Sequence, residues 1–280
     1  TGDVSLDGGS FVFNESSADK DFRVESNGNT HMLFVDGGND ALAVGTSSAD
    51  TNATMTVSNT GDNHAISIVG ALNKSRMHFQ GANTGSASTD GLVIGLSSSD
   101  DTNDDSALIG LKESGSLTLQ TNNTNHLIID GNGHVTMPKQ SCFHVKGSRQ
   151  NNVPKNATTD IQFNSERFDL NGDFDTSTYT FTAPVTGKYQ INIILRYDNG
   201  DMDNSYYSLY LYTSNSNYRP CIHSQLSFDQ DVDYFNMNGS LIVDMDANDT
   251  AKVQLGIPNL GADQVDLELP ESVFSGYLVA

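Results

Sequence analysis

From residue 189 to residue 196 apolar and polar side chains alternate. Tyr189, Ile191, Ile193 and Leu195 are interleaved with Gln190, Asn192 and Arg196. A period of two puts the apolar set on one face of a β-strand. Ile194 interrupts the alternation, which predicts a strand covered on both sides. The same pattern returns in Tyr207, Leu209 and Leu211, in Leu241, Val243 and Met245, and in Val253, Leu255 and Ile257. These short runs are separated by Asn, Asp, Gly and Pro, and no amphipathic helix is long enough to cover them. The prediction is all-β, a sandwich or jelly roll.

The first 140 residues carry a thinner pattern. Leu33-Phe34-Val35-Asp36-Gly37-Gly38 aligns with Leu127-Ile128-Ile129-Asp130-Gly131-Asn132, and each is followed by a second apolar run, Ala41 to Val44 and Val135 to Met137. Asp-Gly between two such runs predicts a hairpin with a tight primed turn. Comparable pieces are Met55 to Val57, Ile66 to Val69, Leu92 to Ile94, Leu108 to Leu111 and Leu117 to Leu119. Strands this short and sparsely apolar leave much of their apolar face in water when the chain is alone. Packing of three chains about one axis would cover it.

Composition sharpens the division. All ten Tyr lie at or after Tyr179, both Cys are Cys142 and Cys221, and the first Pro is Pro138. The chain therefore changes character near residue 140, which gives two regions, 1–140 and 141–280. The net charge of −21 is shared evenly, −11 (6 basic, 17 acidic) before residue 140 and −10 (8 and 18) after it. Such a surface repels nucleic acid and anionic membrane. No apolar run approaches a membrane span. The chain begins with Thr1 rather than Met, as a processed or partial piece of a longer protein would. Two Cys do not make a disulfide framework, and free thiols are favoured over a Cys142–Cys221 bridge. No Cys/His spacing fits zinc.

The segment from Phe163 to Ile193 carries large residues at fixed gaps. Phe163, Asp169, Phe174, Phe181, Gly187 and Tyr189 fall on positions of the globular-domain signature of complement component 1q, while Ile191 and Ile193 stand where aromatics are usual. The tail Val273-Phe274-Ser275-Gly276-Tyr277-Leu278-Val279 resembles that family's closing strand. The resemblance covers about residues 141 to 280 and implies a trimer-forming jelly-roll head, akin to the tumour-necrosis-factor-like folds. Phe22 to Val24, Leu33 to Gly38 and Ala43 to Ser47 resemble the β-rich shafts of tailed-phage fibres. Eukaryotic relatives of the head usually sit on collagen, and this chain has no Gly-X-Y repeat.

Candidate sites follow from residue types. Asp169 to Asp175 alternates oxygen side chains as calcium loops do, but Phe174 and Thr180 stand where an EF-hand needs Gly and Glu, so a turn is expected. Asp198, Asp201 and Asp203, with a second acidic stretch at Asp229, Asp231 and Asp233, are the better calcium candidates, with solvated loops as the competing reading. Tyr206, Tyr210 and Tyr212 share one strand face. They are assigned to the trimer interface, with a sugar-stacking platform as the alternative. The loop residues Asn215, Asn217, Tyr218 and Arg219 are assigned to receptor contact. The sequons carry no information in a chain this rich in Asn, Ser and Thr, and the seven His show no paired spacing. No nucleophile elbow, metal motif or phosphate loop is present, so no enzymatic activity is expected.

The sequence reading is thus a homotrimeric virion tail fibre: a β-rich shaft over 1–140 and a jelly-roll β-sandwich head over 141–280 that binds a glycan or protein receptor on the host surface. Other virion proteins are expected partners, without nucleic-acid binding or membrane insertion. The competing readings are a capsid decoration or head fibre, and a secreted complement-like adhesin.

Overall fold

The computed structural model describes residues 13, 19–47, 53–58, 66, 68, 75–87, 89–97, 106–200, 205–224, 230, 233–258 and 264–280. Contacts divide the chain into two units, Thr1–Glu113 and Ser114–Ala280. The change of composition near residue 140 falls inside the second unit.

In the first unit β1 (Phe22–Val24), β2 (Leu33–Asp36), β3 (Ala41–Val44) and β4 (Met55–Val57) form one sheet in that order, antiparallel except for β3–β4. β5 (Arg76–Phe79), β6 (Leu92–Ser97) and β7 (Ser106–Leu111) form an antiparallel second. Their buried apolar residues, among those described, are Phe34, Ala41, Ala43 and Val93, whereas Met55, Phe79 and Ile109 remain about half exposed. The expectation of bare apolar surface holds for this unit.

The Asp-Gly turns, one in each unit, work differently from the predicted two-residue primed type. Asp36 Oδ1 accepts hydrogen bonds from the N–H groups of Gly38 (3.1 Å) and Asn39 (3.0 Å), closing a longer loop whose left-handed residue is Asp40 (φ 51°). Asp130 repeats the device, accepting from Asn132 and His134 at 2.9 Å each, with Gly133 left-handed at φ 88°. The following glycines are needed for close approach: a Cβ on Gly37 would lie 2.6 Å from the carbonyl oxygen of Lys20, and one on Gly131 2.6 Å from that of Ser114. The two-residue turn with both residues left-handed occurs instead at Asn122 (φ 48°) and Asn123 (φ 56°), where asparagine tolerates the conformation. It joins β8 (Leu117–Thr121) to β9 (Thr124–Ile129), and β10 (Val135–Thr136) completes that three-stranded sheet in the second unit.

The rest of the second unit is a two-layer β-sandwich. The first sheet holds β11 (Cys142–Lys146), β12 (Gln150–Val153), β14 (Ser165–Asp169), β17 (Gly187–Asp198), β20 (Phe235–Met245), β22 (Val265–Leu267) and β23 (Val273–Leu278). β17 is its spine, paired along its length with β20 on one edge and with β23 and β22 on the other. The second sheet holds β13 (Ala157–Asp160), β15 (Phe174–Asp175), β16 (Thr180–Thr182), β18 (Tyr206–Thr213), β19 (Asn217–Ser224) and β21 (Thr250–Ile257). Alternation does what the sequence predicts: Tyr189, Ile191, Ile193, Leu195, Tyr207, Leu209, Leu211, Val243, Val253 and Leu255 are all at most 1% exposed. Ile194 is the exception, for it is 43% exposed on the outward face rather than covered on both sides.

The spaced aromatics meet around one ring. Phe143 lies 4.6 Å from Phe181, 5.0 Å from Phe274 and 5.5 Å from Phe174, centroid to centroid. Asp169 shapes the turn that delivers Phe174. Its Oδ2 accepts from the Phe174 N–H at 2.8 Å and its Oδ1 from Gly172 at 3.1 Å, with Gly172 at φ 74°. Tyr189 Oη donates to the Val185 carbonyl at 2.7 Å, pinning the entry to β17. A Cβ on Gly187 would lie 2.6 Å from the Ala280 carbonyl oxygen, so glycine there lets the last residues pack onto β17. This core closes within one chain, while apolar side chains stay bare on the outer faces, among them Ile194 and Ile242.

Candidate functional site

With the interior filled, recognition falls to the surfaces of the sandwich. The outward face of the first sheet is a lattice of cross-strand rungs. One runs Ile242–Gln190–Tyr277–Cys142, the next Ser240–Asn192–Ser275–His144–Phe168, and the third Asn238–Ile194–Val273. The middle rung is polar up to its Phe168 end and bonded to itself and its neighbour: Ser240 Oγ donates to Asn192 Oδ1 at 2.9 Å, and Gln190 Nε2 donates to Ser240 Oγ at 3.0 Å. Apolar side chains surround it, with Ile242 59%, Tyr277 45%, Phe168 45% and Ile194 43% exposed. His144 is half-buried among them, its Nε2 without a hydrogen-bond partner. Burial, then the nearby Lys146 and Arg167, hold its imidazole below the usual histidine range. Such a face suits a protein partner, which would cover the apolar rungs and register on the polar one.

The tyrosine row lies on the opposite sheet. Tyr206 and Tyr210 are half-buried and Tyr212 is exposed, on the outward face of β18. The structure therefore separates the row assigned to a subunit interface from the larger bare apolar face. The ring of Tyr210 lies over Gly256, where a Cβ would come within 2.7 Å of its Cε2. Tyr206 and Tyr210 line a groove of about 300 Å³ with Asn156, Thr158 and Pro258. Beside it, Asp160 accepts from Lys252 Nζ at 2.8 Å and Gln254 Nε2 at 2.6 Å. Burial alone would raise the Asp160 pKa, but these hydrogen bonds outweigh it and hold it low.

The assigned receptor residues are split. Asn215 spends its amide on Asp249, the Asn217 backbone pairs with Tyr212 at the start of β19, Tyr218 packs against the core, and the exposed Arg219 has its guanidinium 6.0 Å from the Tyr210 ring. A second cleft of about 450 Å³ lies between the β8–β9 hairpin and the base of the sandwich, lined by Asn122, His126, Lys139, Val185 and Leu278.

The calcium reading changes at Asp198. This carboxylate is buried and faces Arg149, whose Nη2 is 3.2 Å from Asp198 Oδ2 and 3.2 Å from Asp266 Oδ2, while Nη1 pairs with Glu268. A guanidinium thus supplies the positive charge that three carboxylates need. Asp201, Asp203, Asp229 and Asp231 lie outside the described residues; Asp233 is exposed. Among the described residues no group of three or more His, Cys, Asp or Glu side chains is placed to hold a metal ion. Asp169 is occupied by its turn. Cys142 and Cys221 are free thiols. Burial, then Asp169, raise the Cys142 pKa. Arg149 and Ile242 were invisible as site residues in the sequence, because lone residues in polar or alternating runs acquire partners only through the sheet register.

Residues 142–279 match the family model of the C1q domain, so the sandwich is a C1q-type jelly roll. Among solved structures, the globular domain of zebrafish complement 1qA protein is similar at 18% identity and TM-score 0.40, covering 51% of this chain and 98% of that one. The crystal structure of murine APRIL at pH 8.0 is similar at 11% identity and TM-score 0.37, covering 50% and 100%. No curated protein matches the chain. No helix among the described residues is long and apolar enough to cross a membrane.

Proposed function

From a C1q domain over residues 142–279 we propose a homotrimeric adhesion protein, the fibre or distal fibre of a virus particle, whose jelly-roll heads hold the particle to a receptor on the host surface. The observation that carries the reading is the outward face of the first sheet, where Ile194, Phe168, Tyr277 and Ile242 stand bare around a bonded polar rung in a domain whose own core is complete. Subunit contacts belong on that face in this reading, which leaves the tyrosine row of the second sheet free. The thin, half-exposed strands of the first unit fit a shaft in which chains cover one another. Three heads per fibre would turn weak contacts into firm attachment, since linked sites gain by effective concentration, often by about 100-fold or more. The acidic surface, 3 × −21 = −63 per trimer, suits a soluble particle appendage.

The match to the C1q domain favours a second reading, a secreted complement-like binding module built on the same trimer. One experiment addresses both. Purified trimer is mixed with susceptible host cells before the particles are added. A dose-dependent fall in particle adsorption is the expected result, and unimpaired adsorption at saturating protein would overturn the attachment role.

A further inference from the structure

The groove beside the tyrosine row has a construction that the adhesion reading does not by itself explain. Along β18 the side chains of Tyr206, Ser208 and Tyr210 share the outward face, and Ser208 pairs across with Gly256 on β21 and with Ile222 on β19. Gly256 has no side chain, which leaves room for the edge of the Tyr210 ring, since a Cβ there would lie 2.7 Å from its Cε2. Ile222, 47% exposed, adds apolar area on the same face. The lining is rich in polar groups, the hydroxyls of Tyr206, Tyr210 and Thr158 and the amide of Asn156. Asn156, held left-handed at φ 56°, and the exposed Thr158 form the far wall.

We propose that this groove binds a neutral pyranose ring of a host glycan, its apolar face stacked on tyrosine and its hydroxyls bonded by Thr158 and Asn156. Three features select that class. Flat aromatic faces with polar tips match the alternating apolar faces and hydroxyl edges of a sugar ring. The volume, about 300 Å³, is of the size that takes a small ligand. The net charge of −21 disfavours an acidic sugar. The inference names the receptor chemistry for the adhesion reading and rests on it, yet it is tested on the isolated protein. Sugar binding without host attachment would fall on that reading, and attachment without sugar binding on this one.

The test is saturation-transfer NMR on the full chain with methyl α-glucoside, methyl α-mannoside, methyl β-galactoside, N-acetylglucosamine and sialyllactose as separate probes. Because the chain has no Trp, tyrosine fluorescence gives an independent titration. At least one neutral sugar should show transfer at millimolar concentration. Tyr210→Ala and Thr158→Trp, the latter filling the groove from an exposed rim, should each weaken binding by about tenfold or more, whereas Tyr210→Phe should stay within about twofold. Should Tyr210→Ala fail to fold, Thr158→Trp carries the test. Silence from all four neutral sugars, stronger binding of sialyllactose than of any of them, or full binding in Thr158→Trp would each overturn the proposal.

Discussion

Replacing Arg149 by Met removes a single cation from a turn region where three carboxylates converge, and its cost can be worked from their burial. The Asp198 side chain is 7% exposed, and those of Glu268 and Asp266 are 17% and 19% exposed. Without the guanidinium, Asp198 would be a buried charge whose Oδ1 has no partner. Breaking a fully buried pair costs about 3–5 kcal/mol. The Arg149 side chain is 42% exposed, so water screens part of its charge and roughly half of that figure, about 2 kcal/mol, is the better expectation. A loss of that size lowers Tm by about 4–8 °C in a domain of this length. Scanning calorimetry of the wild type, Arg149→Met, Asp198→Asn and the double variant would close a thermodynamic cycle. The double variant should recover about half or more of the loss, because removing the charge also removes the need for its partner. An unchanged Tm in Arg149→Met would refute the reasoning and reopen the acidic loop to a metal ion; so would a rise of several degrees on adding calcium to the wild type.

Ile194→Ser with Ile242→Ser should weaken self-association without harming the core. Full burial of an Ile is worth about 1.5–3 kcal/mol, and the exposed shares, 43% and 59%, sum to about one side chain per subunit, hence about 5–9 kcal/mol per trimer. Sedimentation at micromolar concentration should shift towards monomer, and an unshifted trimer would remove this face from the interface. Phe181→Asp should abolish the folded head, since it puts a charge beside Phe143 and Tyr189 at a cost above the roughly 3–5 kcal/mol of a Phe→Ala change, as near-ultraviolet circular dichroism would show. Acid should destabilise the head early. His144 and His223 are both held below the ordinary histidine value of 6.5 by burial. Their contribution is therefore fully present above pH 6.5 and lost as pH falls through the lowered values. Melting at pH 7.5 and 5.5 should show a drop that shrinks in His223→Gln, and equal pH dependence in the variant would contradict the assignment.

The sandwich was legible because alternation and fixed aromatic gaps report directly on which face is inside. Phe163, Phe174 and Phe181 announced the core, and Asp169 announced a turn. Phe143, the ring that touches three other aromatics, was not singled out, because its strand is short and its partners lie far along the chain. Asp-Gly misled in detail. The aspartate closes a longer loop with its carboxylate, and the glycine is there because a backbone carbonyl passes within reach of any Cβ. Site residues were read less well for a related reason. Which of two tyrosine-rich or isoleucine-bearing faces is bare depends on what the opposite sheet and the neighbouring strands cover, and composition does not encode that.

The account stands or falls on self-association through the bare apolar surfaces. Sedimentation equilibrium on the purified wild-type chain at micromolar concentration measures it directly. Three times 30.1 kDa, or 90.3 kDa, is the predicted mass. A single folded species at 30.1 kDa, stable over the same concentrations, would contradict it.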